Sequence, residues 1–197
     1  MNFLKDRDAK KLLSAAKRLK AQTIIHILLC TGIRSGELAA LNVEDVDYDS
    51  KQLYIVDSKK KKRFAVPVDS KTLGLIKRYV HSRSEGPLFI SQMTRKRLTD
   101  QGVCKTVRKA AARAGIKHKY NVTPRTLRHT FAINWLRAGG NIESLRRILR
   151  HKTLLSTQVY LDFDQSLVRR EYERIFEGVE RSTLVPEKAA QKQEYIS

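Results

Sequence analysis

The spacing of apolar residues changes once along this chain of 197 residues, and that change limits the folds the chain can adopt. Residues 53–56 and 64–68 are short apolar runs with the β-branched and aromatic content of strands. Residues 57–63 join them in a lysine-rich turn, and Pro67 places the second run at a sheet edge or a strand end. The remaining apolar spacing is helical. The pattern therefore predicts a mostly helical chain with one β-hairpin.

Capping residues mark the ends of several helical segments. Thr123 followed by Pro124 is typical of a helix start, because Thr accepts hydrogen bonds from the first turn and Pro fits the first helical position. That helix ends at Gly139 and Gly140, and Asn141 caps the next one. In chain order, helical segments are predicted at residues 5–19, 23–29, 35–41, 70–82, 99–114, 124–138, 142–150, 156–161 and 164–179.

The chain is strongly basic, with 40 Lys and Arg residues against 20 Asp and Glu residues and a formal net charge of +20 at pH 7. These cations extend from Lys5 to Lys192 in a chain that is 41% hydrophobic, which favours a folded basic surface over a disordered or membrane-binding arm. A nucleic acid is therefore the first candidate partner, and a basic protein without such a partner is the alternative. No apolar stretch is long enough to span a membrane and no signal peptide opens the chain, so we expect a cytoplasmic protein without a membrane partner.

The two cysteines, Cys30 and Cys104, lie far apart, and neither belongs to a C-x-x-C pair. Their spacing is that of neither a disulfide framework nor a zinc site, so we expect no metal ion. Cys30 lies in an apolar run and is expected to be a small core residue.

The segment T-G-I-R-S-G-E-L places an arginine at the start of a short helix. Arg34 lies just before or in the first turn, and Glu37 follows three residues later on the same face. A phosphate bound there would meet the guanidinium group and the positive end of the helix dipole, and Glu37 would orient Arg34 or a neighbouring turn. The alternative is a surface salt bridge of little consequence.

A second segment, T-P-R-T-L-R-H, places two more arginines at a helix start. Arg125 and Arg128 are three residues apart and therefore share a face. The opposite, apolar stripe consists of Leu127, Phe131 and Trp135. We therefore expect both arginines and His129 to face away from the core, as a phosphate clamp or, alternatively, as a solvated basic face.

Two further features have both a structural and a chemical interpretation. The lysines of residues 59–62 form either a solvated turn that contacts a polyanion, or a turn in which one rigidly held lysine donates a proton to a leaving alkoxide. Tyr160 lies nine residues after His151, and an isolated tyrosine in an amphipathic segment is usually half-buried core. Its phenol, with a pKa near 10, is a poor nucleophile at neutral pH unless nearby arginines favour the phenolate.

Taken in this order, the segments resemble the catalytic domain of the tyrosine recombinases, which include lambda-type phage integrases, Xer recombinases and their archaeal relatives. The resemblance extends from about Leu4 to about Val179. The family's motifs are G-x-R-x-x-E, a lysine between two strands, H-x-L-R-H, a glycine–histidine pair and a tyrosine nine residues later. Their counterparts here are Gly32, Arg34 and Glu37, then Lys59 with Lys60 as the alternative, then Arg125, Arg128 and His129, then Arg150 and His151, and finally Tyr160.

The resemblance implies an α+β fold, mostly helical with a small antiparallel sheet, and a site that needs no cofactor. It assigns catalytic roles to Arg34, Lys59, Arg125, Arg128, His151 and Tyr160, supporting roles to Glu37 and His129, and DNA contacts to Lys60, Lys61, Lys62, Arg63 and Arg150. The implied reaction is a pair of transesterifications, in which Tyr160 forms a 3′-phosphotyrosyl bond and a 5′-hydroxyl from a second duplex then attacks it.

Two positions depart from the family's pattern. Arg125 stands where the family has a histidine that contacts the scissile phosphate and is a candidate proton acceptor. Arginine keeps the phosphate contact but cannot act as a base at ordinary pH, so His151, His129 or water must take the proton of Tyr160. Arg150 replaces a usual glycine and is expected either to contact phosphate or to be exposed.

The resemblance also implies a domain arrangement and partners. Residues 1–180 are expected to form the catalytic domain, and residues 181–197 a flexible tail or a segment that docks on a neighbouring subunit. The expected partners are double-stranded DNA of the nucleoid and three further copies of the chain, in a tetramer on two duplexes, with a monomer in the absence of DNA. The alternatives are a DNA-binding remnant with weak catalysis and a nicking and closing enzyme of the type IB topoisomerase kind.

Overall fold

The computed structural model describes residues 2–57, 62–116 and 120–163, together with residues 169, 172 and 173. Lys59, Lys60 and Lys61 lie outside the described residues, as do residues 181–197 and most of the predicted helix at 164–179.

Eight α-helices and a three-stranded sheet make up the described chain, which confirms the α+β prediction. The helices before the sheet are α1 (Asp6–Ala15), α2 (Leu19–Thr31) and α3 (Ser35–Ala40). After a 3₁₀ turn at Val43–Asp45, the strands are β1 (Val46–Asp47), β2 (Gln52–Asp57) and β3 (Lys62–Pro67). The helices that follow are α4 (Ser70–Val80), α5 (Asp100–Arg113), α6 (Pro124–Arg137), α7 (Ile142–Leu149) and α8 (Leu155–Phe163).

The sheet is antiparallel, with strand order β1-β2-β3. Leu53 pairs with Val66, and both side chains are buried on the face that covers the core. Pro67 lies in β3 at the edge of the sheet, where its missing N–H costs no ladder hydrogen bond, as its position in the sequence predicts. The two-residue strand β1 was not predicted, because so short a strand has no readable periodicity.

Two predicted helix starts are confirmed by their caps. The Thr123 side chain accepts a hydrogen bond from the backbone N–H of Thr126 at the start of α6. The Asn141 side chain accepts two, from Glu143 and Ser144, at the start of α7. Both caps satisfy backbone donors that have no partner within the first turn.

The helix predicted at residues 5–19 is present as α1, but its predicted end is wrong, because the chain breaks between α1 and α2. The backbone leaves the helical conformation at Ala16, where φ is −79° and ψ is 75°, and Leu19 begins the next helix. Ala16 is fully buried, so the apolar spacing continues across the break although the backbone does not.

Helix α2 lies at the centre of the core and packs against α4 and α6. Its side chains Ile24, Ile25, Ile27 and Leu28 are fully buried. A second buried cluster joins α6, α7 and α8 through Phe131, Ala132, Ile133, Leu136, Leu145, Leu149 and Tyr160. Among the described residues, no helix is long and apolar enough to cross a membrane.

The end of α2 approaches α6 and α7 closely enough to require glycine. Gly32 has a φ of +62°, a left-handed conformation that favours a residue without a Cβ atom. A Cβ atom there would also clash with the ring of Phe131 and lie 2.9 Å from Cδ2 of Leu149. Gly32 therefore allows the ends of α2 and α7 to meet at the face of α6.

The N-terminal segment is tied to the same region. The backbone N–H of Leu4 donates to Oγ1 of Thr130 on α6 at 2.9 Å. The hydroxyl of Tyr120 donates to Oδ2 of Asp8 on α1 at 2.5 Å. Both bonds are buried, so α1 is held against the segment that precedes α6, and the residues before α1 are held against the middle of α6.

Candidate active site

Arg34 is the N-cap of α3, and Glu37 lies at the third position of that helix. Oε2 of Glu37 accepts a hydrogen bond from the backbone N–H of Arg34 at 2.8 Å, and Oε1 accepts one from its Nη1 at 2.9 Å. The Arg34 side chain remains 52% exposed. Glu37 therefore orients both the helix start and the guanidinium group, as predicted, while Arg34 still faces solvent.

The same carboxylate also pairs with Arg150, whose Nη2 donates to Oε2 of Glu37. The Arg150 side chain is only 10% exposed, so the prediction of a simply exposed residue is wrong. Its φ of +54° at the end of α7 is left-handed, the conformation in which helices usually place glycine. The left-handed backbone conformation thus explains why glycine suits this position. The ion pair with Glu37 explains how the arginine side chain is held there.

Arg128 is buried, which corrects the prediction that it faces away from the core with Arg125. Its Nη1 donates to the carbonyl oxygen of Gly32 at 2.6 Å, and its Nη2 donates to that of Leu149 at 2.7 Å. These carbonyls lie at the C-terminal ends of α2 and α7, where the helix dipoles are negative and favour a cation. Burial, followed by the charge of Arg34, lowers the pKa of Arg128 to about 10, so the group remains a cation at neutral pH.

Tyr160 on α8 is 2% exposed, and its hydroxyl lies 3.1 Å from Nδ1 of His129. Burial raises the pKa of the phenol above its ordinary value of 10, and the charges of Arg128 and Arg125 act against that rise. The arginines thus lower the cost of the phenolate, as expected, but burial acts more strongly in the opposite direction. In the protein without DNA, desolvation outweighs the arginines and Tyr160 keeps its proton.

His151 lies beside the same tyrosine, with its ring plane 8° from that of Tyr160 and the ring centroids 6.4 Å apart. Its Nδ1 is 2.9 Å from Oγ1 of Thr157. Burial, followed by the charges of Arg128 and Arg34, lowers the pKa of His151 to about 4, so the imidazole is neutral at pH 7. Thr157 was not identified from the sequence, although its place three residues before Tyr160 puts both on one helix face.

The remaining predicted site residues lie at the surface. Arg125 is exposed in the first turn of α6, and Lys62 is exposed at the start of β3. Arg63 pairs with Asp45 at 3.3 Å and lies 4.0 Å above the ring of Tyr54. Their contacts with DNA stay predictions.

An open cleft of about 380 Å³ joins the sheet to the arginines. Among the described residues, no group of three or more His, Cys, Asp or Glu side chains could hold a metal ion. The cleft also contains Lys152 and Ser156, two polar residues that were not predicted as site residues. Its lining consists of Arg34, Glu37, Ile55, Phe64, Arg150, His151, Lys152 and Ser156.

Comparisons with known proteins identify the family and the fold. The model of the phage integrase family matches residues 2–166. The chain is 30% identical over 171 residues to the tyrosine recombinase XerA of Pyrococcus horikoshii, covering 87% of this chain and 60% of that protein. A crystal structure of XerA recombinase superposes with a TM-score of 0.77 at 30% identity, covering 88% of this chain and 63% of that one. The catalytic domain of bacteriophage HP1 integrase superposes with a TM-score of 0.68 at 26% identity, covering 91% of this chain and 96% of that domain. The chain thus spans about three fifths of the XerA proteins that it matches.

Proposed function

Because the chain belongs to the phage integrase family, we propose that it is a site-specific recombinase that cuts and rejoins DNA through Tyr160. The observation that carries the proposal is the convergence of distant segments on one buried hydroxyl. His129 lies within hydrogen-bond distance of that hydroxyl, and the charges of Arg125 and Arg128 act on the phenol. The charge of Arg34, from a helix almost a hundred residues earlier, acts in turn on Arg128.

In the proposed reaction, the phenol oxygen of Tyr160 attacks a phosphorus atom of the DNA backbone. A 3′-phosphotyrosyl bond forms, the bond to the 5′ oxygen breaks, and a 5′-hydroxyl leaves. The bond energy is kept in the protein–DNA link, so a 5′-hydroxyl from a second duplex can reverse the step and exchange strands through a Holliday junction. Lys59, outside the described residues, is the proposed donor of the proton to the leaving oxygen.

The arginines would stabilise the charge on the non-bridging oxygens. Arg128 uses two of its five N–H groups on the carbonyls of Gly32 and Leu149, which leaves three for phosphate and fixes the guanidinium in place. Arg34 brings an exposed guanidinium to the positive end of α3. In this proposal, Arg125 and His151 add hydrogen bonds to the same phosphate.

The proposed partners are double-stranded DNA and, in the working complex, three further copies of the chain on two duplexes. Residues 1–180 are proposed to be the catalytic domain, which is supported by the superposition on 96% of a solved integrase catalytic domain. Residues 60–63 and Arg150 are proposed to contact DNA, and residues 181–197 to form the tail or docking segment. We place this activity at the nucleoid.

A duplex with a nick near the cleavage site tests the proposal, because loss of the short product traps the covalent intermediate. With nicked duplexes that carry candidate attachment sequences, wild-type protein is expected to form an adduct that survives denaturing electrophoresis. Tyr160→Phe should form none, whereas Tyr48→Phe, which removes a partly exposed hydroxyl on the loop after β1, should match wild type. Equal trapping by wild type and Tyr160→Phe would contradict the proposed function.

The other outcomes separate the alternatives. Duplex binding without any adduct would favour a DNA-binding remnant. Relaxation of supercoiled DNA by wild type, without any product that joins two duplexes, would favour a nicking and closing enzyme. A joined product that depends on Tyr160 would support recombination.

A further inference from the structure

The residue that receives the Tyr160 proton must lie close to the phenol oxygen. A general base acts within about 2.6–3.2 Å of the oxygen it deprotonates, or through one water molecule. Nδ1 of His129 lies 3.1 Å from that oxygen. In the tautomer of His129 that carries its proton on Nε2, the phenol donates in this bond and Nδ1 accepts, which is the arrangement that proton removal requires.

The surroundings of His129 keep its imidazole ready to accept a proton. Burial, followed by the charges of Arg125 and Arg128, lowers the pKa of His129 to about 4, so the ring is neutral at pH 7. The charged or titratable groups around it are these two arginines of α6, the N-terminal amino group, Tyr160 of α8, and His151. Arg125 lies four residues before His129, one helical turn away.

The second histidine is oriented differently. The imidazole plane of His151 is nearly parallel to the phenol ring of Tyr160 and stacked on it, at a centroid distance of 6.4 Å. The hydrogen bond that the described residues make to the phenol oxygen is with His129 and not with His151. Nδ1 of His151 is already within 2.9 Å of the Thr157 hydroxyl. His151 therefore suits a phosphate contact better than proton removal.

We propose that His129 is the general base of this site and takes the proton of Tyr160 as the phenol oxygen attacks the DNA. This inference rests on the proposed function. As the oxygen–phosphorus bond forms, the O–H bond of Tyr160 breaks and the proton moves to Nδ1 of His129. As the bond to the 5′ oxygen breaks, that oxygen takes a proton from a lysine ammonium group or from water. In the return step, His129 gives its proton back to the departing phenol oxygen.

The pH dependence of cleavage tests this assignment, with the nicked duplex as substrate and single-turnover rates measured from pH 6.5 to 9. His129→Asn keeps a hydrogen-bond acceptor near the position of Nδ1 but cannot take up a proton. Its rate at pH 7 should fall by about 10²–10⁴-fold, the usual contribution of a general base. The remaining rate should rise about tenfold per pH unit, because hydroxide then removes the proton. His151→Asn is the matched control, and its profile should run parallel to that of wild type.

Chemical rescue by imidazole gives a second measurement, and a variant that had only lost packing would not respond to it. His129→Gly leaves space for added imidazole, which should restore cleavage in proportion to its concentration, whereas His151→Gly should not respond. Circular dichroism and duplex binding check that each variant is folded. If His129→Asn does not fold, His129→Gln takes its place in the experiment.

Three results would overturn the assignment. These are a His129→Asn rate within threefold of wild type, a lowered rate with a wild-type pH profile and no imidazole rescue, or rescue confined to the His151 variants. Absence of any adduct with the wild-type protein would instead contradict the proposed function, so the two failures are distinguishable.

Discussion

The carboxylate of Glu37 joins residues that are far apart in the sequence. It accepts hydrogen bonds from Arg34 at the start of α3 and pairs with Arg150 at the end of α7. The left-handed backbone conformation of Arg150 costs about 1–2 kcal/mol because its side chain has a Cβ atom. Glycine at this position would avoid that cost. The shielded ion pair with Glu37 offsets part of that cost, so this arginine holds α3 and α7 together at the edge of the site.

Gly32 offers the sharpest stability test at the residue scale. Gly32→Ala should lower the free energy of unfolding by about 2–5 kcal/mol, because about 1–2 kcal/mol comes from the left-handed backbone and about 1–3 kcal/mol from overpacking against Phe131 and Leu149. Urea unfolding at 25 °C measures this change. Gly74→Ala is the control, since it lies inside α4 with open space around its Cβ position, and it should stabilise the fold by about 0.5–1 kcal/mol. A Gly32→Ala variant as stable as wild type would contradict the packing at this junction.

Sequence reasoning succeeded for contacts between neighbouring residues and failed for those that span the chain. The pairing of Arg34 with Glu37 follows from their spacing of three. The burial of Arg128 does not, because its two carbonyl acceptors lie 96 and 21 residues away and leave no mark in the side-chain pattern. The hydrogen bond between His129 and Tyr160 spans 31 residues and was equally out of reach, although both residues had been singled out.

At the scale of elements, capping and periodicity predicted most of the helices and the hairpin. The caps of α6 and α7 are local interactions, so Thr123 and Asn141 could be identified from their own neighbours. The break between α1 and α2 could not be predicted in this way, because buried Ala16 continues the apolar spacing although its own backbone is not helical.

The meeting point of α6 and α8 holds two neutral imidazoles, which makes its stability sensitive to acid. The folded pKa values of His129 and His151, each about 4, lie below the ordinary value of 6.5. The unfolded chain therefore binds more protons as the pH falls below about 6.5, and stability that is fully present above that pH is lost progressively toward pH 4.

Urea unfolding of the DNA-free protein between pH 7.5 and 4.5 measures this loss. The double variant His129→Gln with His151→Gln should show a flatter dependence on pH. Some slope should remain, because His26 on α2 also has a pKa lowered by burial and by the charge of Lys71. Equal slopes for the wild type and the double variant would show that these imidazoles are not desolvated in solution.

At the scale of the whole molecule, the net charge of +20 should dominate DNA binding. With about 6–10 phosphate contacts, affinity for a duplex should fall about 10³–10⁵-fold between 50 and 200 mM salt, because bound counterions are released on binding. Fluorescence anisotropy with a labelled duplex measures the salt dependence.

Single-residue variants identify which part of the protein surface contacts the DNA phosphates. Arg34→Ala should reduce the slope of log affinity against log salt by about one. Lys10→Ala, on α1 in a separate basic depression, should leave it unchanged. A less than tenfold change in affinity across this salt range would mean that few of the cations meet phosphate.

The hydrogen bond between Leu4 and Thr130 limits where a tag or label can be attached to this protein. Thr130 adjoins His129, so an affinity tag, a dye or a bead fused just ahead of Leu4 would pull on the helical turn that holds the imidazole against Tyr160. Strain from such a fusion would look like a catalytic defect even though every residue of the site is present. Met93, which is 90% exposed on the segment between α4 and α5, is the safer position for a label.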